Sequence, residues 1–304
     1  MKKIFVVVIC GPTASGKTAL AVHLAEQFGG EIIGADSMQI YKGMNIATAK
    51  PAPEELRGVK HHLIDFLEPH EAFSVAEYVD LARVKIAEVH GRGKLPVIAG
   101  GTGLYINSLI DNIEFPEIKA DMVFRAEKQK TDAGILLGEL REKDPGTAEQ
   151  LHENNKKRII RALEVLHITG RTMGELKTES RLNPSPYKPL MLQIEFHRNE
   201  LYERIDRRVD LMLEMGLLDE ARAFYALGNT PTSAQAIGYK ELLPYLNGEA
   251  GLEECVENLK KSTRNYAKRQ ITWFKKDPRI HLLAPEKAFK HAENLILNII
   301  AQIS

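Results

Sequence analysis

Only two cysteines occur in the 304 residues, Cys10 and Cys255. They form neither a disulfide framework nor a metal-ligand spacing, so a small secreted scaffold is excluded and a reducing cytoplasm fits. An excess of either charge is also missing, with 41 Lys+Arg against 41 Asp+Glu. That balance argues against a general polyanion binder. No apolar stretch is long enough to cross a bilayer. Met1-Lys2-Lys3 before an apolar run has the look of a signal peptide. The run is short, however, and leads directly into a glycine loop, so it reads as a core strand. Internal repeats and low-complexity tracts are absent. What is left, at 44% hydrophobic and 27% charged residues, is the composition of a soluble enzyme. A chain of this length can bury roughly 75% of its unfolded surface, enough for one large domain and a smaller one.

The most informative feature present is Gly11-Pro12-Thr13-Ala14-Ser15-Gly16-Lys17-Thr18, a full match to G-x-x-x-x-G-K-[ST]. The apolar run Ile4 to Cys10 precedes it. A helical pattern follows, with Leu20, Leu24 and Phe28 spaced by four. Strand, glycine loop and helix N-terminus are the context this motif needs. Backbone N–H groups and the helix dipole converge there on an anion of phosphate size. Gly11, Thr13, Ala14, Ser15 and Gly16 would form the cradle, Lys17 would supply a point charge, and Thr18 would offer a hydroxyl to Mg²⁺. The chain is therefore expected to bind a di- or triphosphate.

Further segments read as α/β. Glu31 to Ala35 is a second strand ending at Asp36-Ser37, and Ser74-Val75-Ala76-Glu77 is a capping box opening a helix. Leu95 to Ala99 is a third strand, followed by the glycine turn Gly100-Gly101-Thr102-Gly103. This alternation predicts a parallel sheet with crossover helices and a ligand crevice at the carboxyl ends of its strands. From Pro116 the pattern turns helical to Gly170. A proline-rich stretch, Arg181 to Pro189, reads as an extended return, and Leu190 to Phe196 as another strand capped onward by Asn199. The predicted architecture is a P-loop parallel-sheet core over 1–115 and 189–304, with a helical domain inserted at 116–188 and a helical C-terminal part.

A motor or switch NTPase should carry an acid after its best apolar strand. Leu95 to Gly101 ends in Gly-Gly-Thr instead, and Asp65 is a weak substitute. His61-His62 has no partner at ligand spacing, and no protein-kinase motif set is present. Between Val256 and Arg279 eight cations (Lys260, Lys261, Arg264, Lys268, Arg269, Lys275, Lys276, Arg279) face only Glu257 and Asp277. Taken alone, this run reads as a solvated helix face.

The P-loop together with Asp36-Ser37-Met38-Gln39-Ile40-Tyr41-Lys42-Gly43-Met44, Ile46-Ala47-Thr48-Ala49-Lys50-Pro51, Gly100-Gly101-Thr102-Gly103-Leu104-Tyr105, Arg158-Ile159-Ile160-Arg161-Ala162-Leu163-Glu164, Ile237-Gly238-Tyr239 and Lys268-Arg269-Gln270-Ile271-Thr272-Trp273-Phe274 resembles the tRNA dimethylallyltransferases. The motifs come in order and span nearly the whole chain. The resemblance implies transfer of a dimethylallyl group from dimethylallyl diphosphate to N6 of the adenine 3′ of the anticodon. The products would be N6-dimethylallyladenosine and diphosphate. It puts diphosphate rather than ATP in the P-loop, with Mg²⁺ on Thr18. Asp36 would be the general base, Thr102 would contact the flipped base, and Arg208 would hold the diphosphate. Contacts to tRNA would come from Asp36, Ser37, Met38, Gln39, Thr102, Arg125, Lys157, Arg158, Arg161, Gly238, Lys268, Arg269, Gln270 and Trp273. With Tyr266, Trp273 and Phe274 interleaved, the cation run suits an RNA loop whose bases are splayed and stacked. A cytoplasmic monomer without membrane contact is expected. A small-molecule kinase with a helical lid, or a non-catalytic P-loop RNA-binding module, answers to part of the same pattern. The first would need ATP and has no use for the basic helix.

Overall fold

A computed structural model of the chain describes residues 3–115, 118–228, 230 and 232–303. It forms two compact units, one of Met1–Ile110 with Pro186–Ser304 and one of Asp111–Ser185. Pro116, where the sequence places the change of pattern, lies outside the described residues.

The larger unit holds a sheet of six strands: β1 (Ile4–Ile9), β2 (Gly30–Gly34), β3 (His61–His62), β4 (Leu95–Ala99), β5 (Tyr187–Ile194) and β6 (Ile280–Leu283). Their order is β3-β2-β4-β1-β5-β6, and every pairing is parallel. Parallel neighbours need crossovers, and the crossover helices cover both faces. This explains why β1 is an unbroken apolar run. Val7 and Ile9 pack in one cluster with Leu20, Leu24, Leu192 and Ile296. Val6 and Val8, equally buried, point to the other face by the two-residue period of a strand.

The strands β3 and β6 escape the sequence reading because two or four residues carry no usable period. The stretch ending at Pro189 was expected as a linker, but strand β5 starts at Tyr187. Pro189 sits opposite Val6, while β6 pairs only from Met191 onward. On that side Pro189 is at an open edge, where a missing N–H costs no ladder bond. Asn199 was expected to cap the next helix. The helix Arg198–Glu214 instead takes His197, two residues earlier, as its N-cap, with no side-chain cap bond. The capping box at Ser74 is formed: Glu77 N donates to Ser74 Oγ at 3.2 Å and Ser74 N to Glu77 Oε2 at 2.7 Å, opening Val75–Gly91.

The smaller unit is helical, with Met122–Lys130, Ala133–Lys143, Lys156–Thr169 and Met173–Glu179. Its own core is built on Leu136, Leu140, Ile159 and Leu163.

Candidate active site

Strands β2, β4 and β1 are adjacent in the sheet. Their carboxyl ends therefore present Asp36, the Gly100–Gly103 turn and the P-loop side by side. The turn can approach β2 only because position 100 is glycine: a Cβ there would stand 2.1 Å from Ala35 O. Thr102 N then donates to Ala35 O at 3.1 Å. A cavity of about 380 Å³ opens at this edge, with Thr13, Lys17, Thr18, Asp36, Arg208 and Arg269 among its lining residues.

The P-loop wraps its own polar atoms inward. Ser15 Oγ donates to Pro12 O at 2.8 Å, and Lys17 Nζ to the same carbonyl at 2.5 Å. Ala14 adopts φ 62°, a conformation costly for a residue with a Cβ. Its outward carbonyl is held by Arg204 Nε at 2.9 Å, and the Arg204 guanidinium lies 4.6 Å from the Phe196 ring centroid. Arg208, one turn on, reaches Thr13 Oγ1 at 3.4 Å. Burial pushes the Lys17 ammonium down to about 8; nearby Asp36 opposes this and Arg208 reinforces it. Burial also lowers Arg208. An anion placed between these two cations would stabilise both.

Asp36 and Thr102 face each other across the β2 and β4 ends. Asp36 Oδ1 accepts from Met38 N at 2.9 Å, and from Gln39 N at 3.4 Å, which fixes the carboxylate in a turn of its own backbone. Thr102 Oγ1 accepts from Ser37 N at 3.0 Å and lies 3.3 Å from Ser37 Oγ. Gln39 donates to Thr48 O and Ala49 O, so its amide ties the next loop to this turn. Gly238 also lines the cavity.

Glu220 holds the loop that brings Ala47 to the cavity, a support that the sequence does not reveal. Its carboxylate accepts from the backbone N–H groups of Asn45, Ile46 and Ala47 at 2.8, 2.7 and 2.8 Å, and from Tyr239 Oη at 2.9 Å. No local pattern signals a contact spanning more than 170 residues.

The basic helix Leu252–Phe274 divides its residues differently from the sequence reading. Lys261, Lys268, Arg269 and Trp273 are exposed as expected. Arg264 instead binds Asp206 at 2.5 Å, and Lys260 binds Asp210 at 2.7 Å, because the Arg198–Glu214 helix packs beside them. Phe274, counted among aromatics available for stacking, is buried in the core. Gln270, counted among RNA contacts, is also buried, and both ends of its amide are bonded inside the protein.

Within the smaller unit, Lys157 and Arg158 are exposed. Arg125 and Arg161 clamp the buried Glu164 at 2.8 and 2.6 Å, which leaves each guanidinium only partly available. Burial opposes ionisation of Glu164, but the bonds from Arg125 and Arg161 outweigh it and hold the carboxyl below its ordinary value.

His62 hydrogen-bonds the buried Glu31 at 2.7 Å and Asp65 pairs with Lys50 at 2.5 Å. Neither lies among the residues lining the cavity. Among the described residues, no cluster of three His, Cys, Asp or Glu could hold a metal ion, and no helix is long and apolar enough to cross a membrane.

The chain is similar to known proteins over most of its length. A family model described as IPP transferase matches residues 39–277. The tRNA dimethylallyltransferase of Acetivibrio thermocellus is 48% identical, over 97% of this chain and 96% of that protein. A full-length tRNA isopentenylpyrophosphate transferase of Bacillus halodurans superposes with a TM-score of 0.75 at 42% identity, covering 99% of this chain and 98% of that one. A eukaryotic dimethylallyltransferase, solved acting on tRNA, superposes with a TM-score of 0.82 at 34% identity, over 93% of this chain and 74% of that one. On its matched family model and on the extent of these identities, the chain belongs to the IPP transferase family.

Proposed function

We propose that the protein moves a dimethylallyl group from dimethylallyl diphosphate to N6 of the adenine 3′ of the anticodon in tRNA. The observation that carries this reading is a cationic P-loop and the Asp36 carboxylate lining one cavity, with Thr102 bonded to Ser37 N beside it. No acid follows β4, where a motor NTPase would need one.

The chemistry follows from the two halves. The allylic C–O bond breaks and its electron pair leaves with the diphosphate. Charge grows on the leaving oxygens, where P-loop N–H groups, Lys17 and Arg208 would stabilise it. The new C–N bond forms from N6 of adenine, whose lone pair is delocalised into the ring and whose proton must go as the bond forms. Asp36 takes that proton, held ready by Met38 N. Thr102 steadies the extruded base. An all-protein cage for Mg²⁺ is absent among the described residues, so the Thr18 hydroxyl at the cavity would hold the ion. When bound, the ion would neutralise charge on the departing diphosphate. The exposed cations Lys157, Arg158, Lys261, Lys268 and Arg269 supply backbone contacts to the RNA, and Trp273 a stacking plane. In this reading the enzyme works as a monomer in the cytoplasm.

Incubation with labelled dimethylallyl diphosphate and unmodified tRNA is expected to place label on the tRNA without ATP. Label that stays off the tRNA, or appears there only with ATP, rejects the reading.

Lys17 also makes diphosphate binding pH-dependent. Burial pushes the Lys17 ammonium down to about 8, and a bound diphosphate anion raises that value. Affinity is then full below pH 8 and falls above it, by up to about tenfold per pH unit until the bound-state value is passed. Titration of dimethylallyl diphosphate from pH 7 to 9.5 checks this. The slope should vanish in Lys17→Met, whose remaining affinity is weak but flat.

A further inference from the structure

Along the Leu252–Phe274 helix, Tyr266, Gln270 and Trp273 recur at four and three residues and share one face. That face meets both glycine loops of the site. Gln270 Oε1 accepts from Thr13 N at 2.9 Å, and Gln270 Nε2 donates to Gly101 O at 2.9 Å. The Tyr266 hydroxyl lies against Thr102 and Gln270. The Trp273 indole covers Gly103, where a Cβ would come within 2.3 Å of the ring. Gly101 is just as restricted, since a Cβ there would meet Gln270 Nε2 at 2.2 Å. The opposite side of the same helix carries Lys261 and Lys268, both exposed.

We infer that Gln270 is a positioning residue that sets the diphosphate loop in register with the acceptor-base turn. Both polar atoms of its amide are taken up by protein backbone, which leaves neither for a reactant. Gln270 borders the cavity, but its one amide bonds one backbone group from each loop, and the amide is buried, so neither bond is exchanged for water. Only a side chain that both donates and accepts can serve both loops at once. The separation between the allylic carbon and the adenine nitrogen is set by these loops, and displacement by about 1 Å is enough to cost about 10²-fold in rate. This inference rests on the dimethylallyl transfer reading above.

The test uses the full chain and two variants. Gln270→Glu keeps the acceptor but sets a carboxylate against Gly101 O. Gln270→Met keeps the length and loses both bonds. Single-turnover transfer at saturating tRNA and dimethylallyl diphosphate is expected to fall about 10²-fold in both at pH 8, with tRNA affinity within twofold of the parent. The Gln270→Glu rate, relative to the parent at the same pH, should recover at least about tenfold by pH 5.5, because a protonated carboxyl donates again to Gly101 O. Gln270→Met should show no such recovery, and it decides the matter if Gln270→Glu does not fold. A parent-like rate in Gln270→Met, a loss confined to tRNA affinity, or a Gln270→Glu ratio flat with pH would each overturn the inference. A parent protein that transfers no label rejects the underlying reading instead.

Discussion

Lys17→Ala is expected to lower transfer by about 10³-fold, the upper end of what loss of one preorganised donor to a developing negative charge costs. The ammonium stands at the N-terminus of the Lys17–Gln27 helix, tethered to Pro12 O at 2.5 Å. Its buried position makes an approaching diphosphate the partner that would stabilise it. Alanine removes the charge and leaves the loop, since Arg204 still holds Ala14 O and Gln270 still binds Thr13 N. Affinity for tRNA should therefore be unchanged by filter binding while turnover collapses. Near-normal turnover would remove Lys17 from the leaving-group site.

Asp36 separates chemistry from architecture. Asp36→Asn retains an oxygen able to accept from Met38 N, so the turn over 36–39 and the Ser37–Thr102 bond should persist. What is lost is the ability to take a proton. Single-turnover rates should drop by about 10²- to 10⁴-fold, the usual contribution of a positioned general base, with dimethylallyl diphosphate affinity little altered. Asp36→Ala should lose as much in rate and, in addition, loosen the turn. If the deficit of Asp36→Asn lay in diphosphate affinity alone, the carboxylate would belong with the metal ion and not with adenine.

Several features of the fold and the site are legible because they are local. The P-loop, the capping box at Ser74 and the turn after Asp36 are each made by residues a few positions apart, so their geometry is written in consecutive side chains. The parallel sheet is legible for a related reason: strands buried on both faces must be largely apolar, as β1 and β4 are, while β2 departs from this only at the buried Glu31. Helix faces are less so. Period and charge placed Lys261, Arg264 and Lys268 together, but only the neighbouring Arg198–Glu214 helix decides that Arg264 binds Asp206 while the two lysines stay in water. Arg125 and Arg161 likewise look like free cations until Glu164 is seen buried between them.

The sequence by itself determined the α/β class, the glycine loop between β1 and its helix, the carboxylate and threonine at neighbouring strand ends, and, through ordered motifs, the family. These depend on short-range backbone geometry or on composition, which one dimension records. Tertiary structure alone decided that Gln270 joins the two glycine loops, that Glu220 pins the loop at residues 45–47, and that Phe274 belongs to the core. Gln270 lies 257 residues from Thr13 and 169 from Gly101. An amide, a carboxylate or an aromatic ring is equally at home in solvent, in a core or on a ligand. Which of these it meets depends on how each helix is rotated against the sheet, and the shape of the packed core sets that rotation.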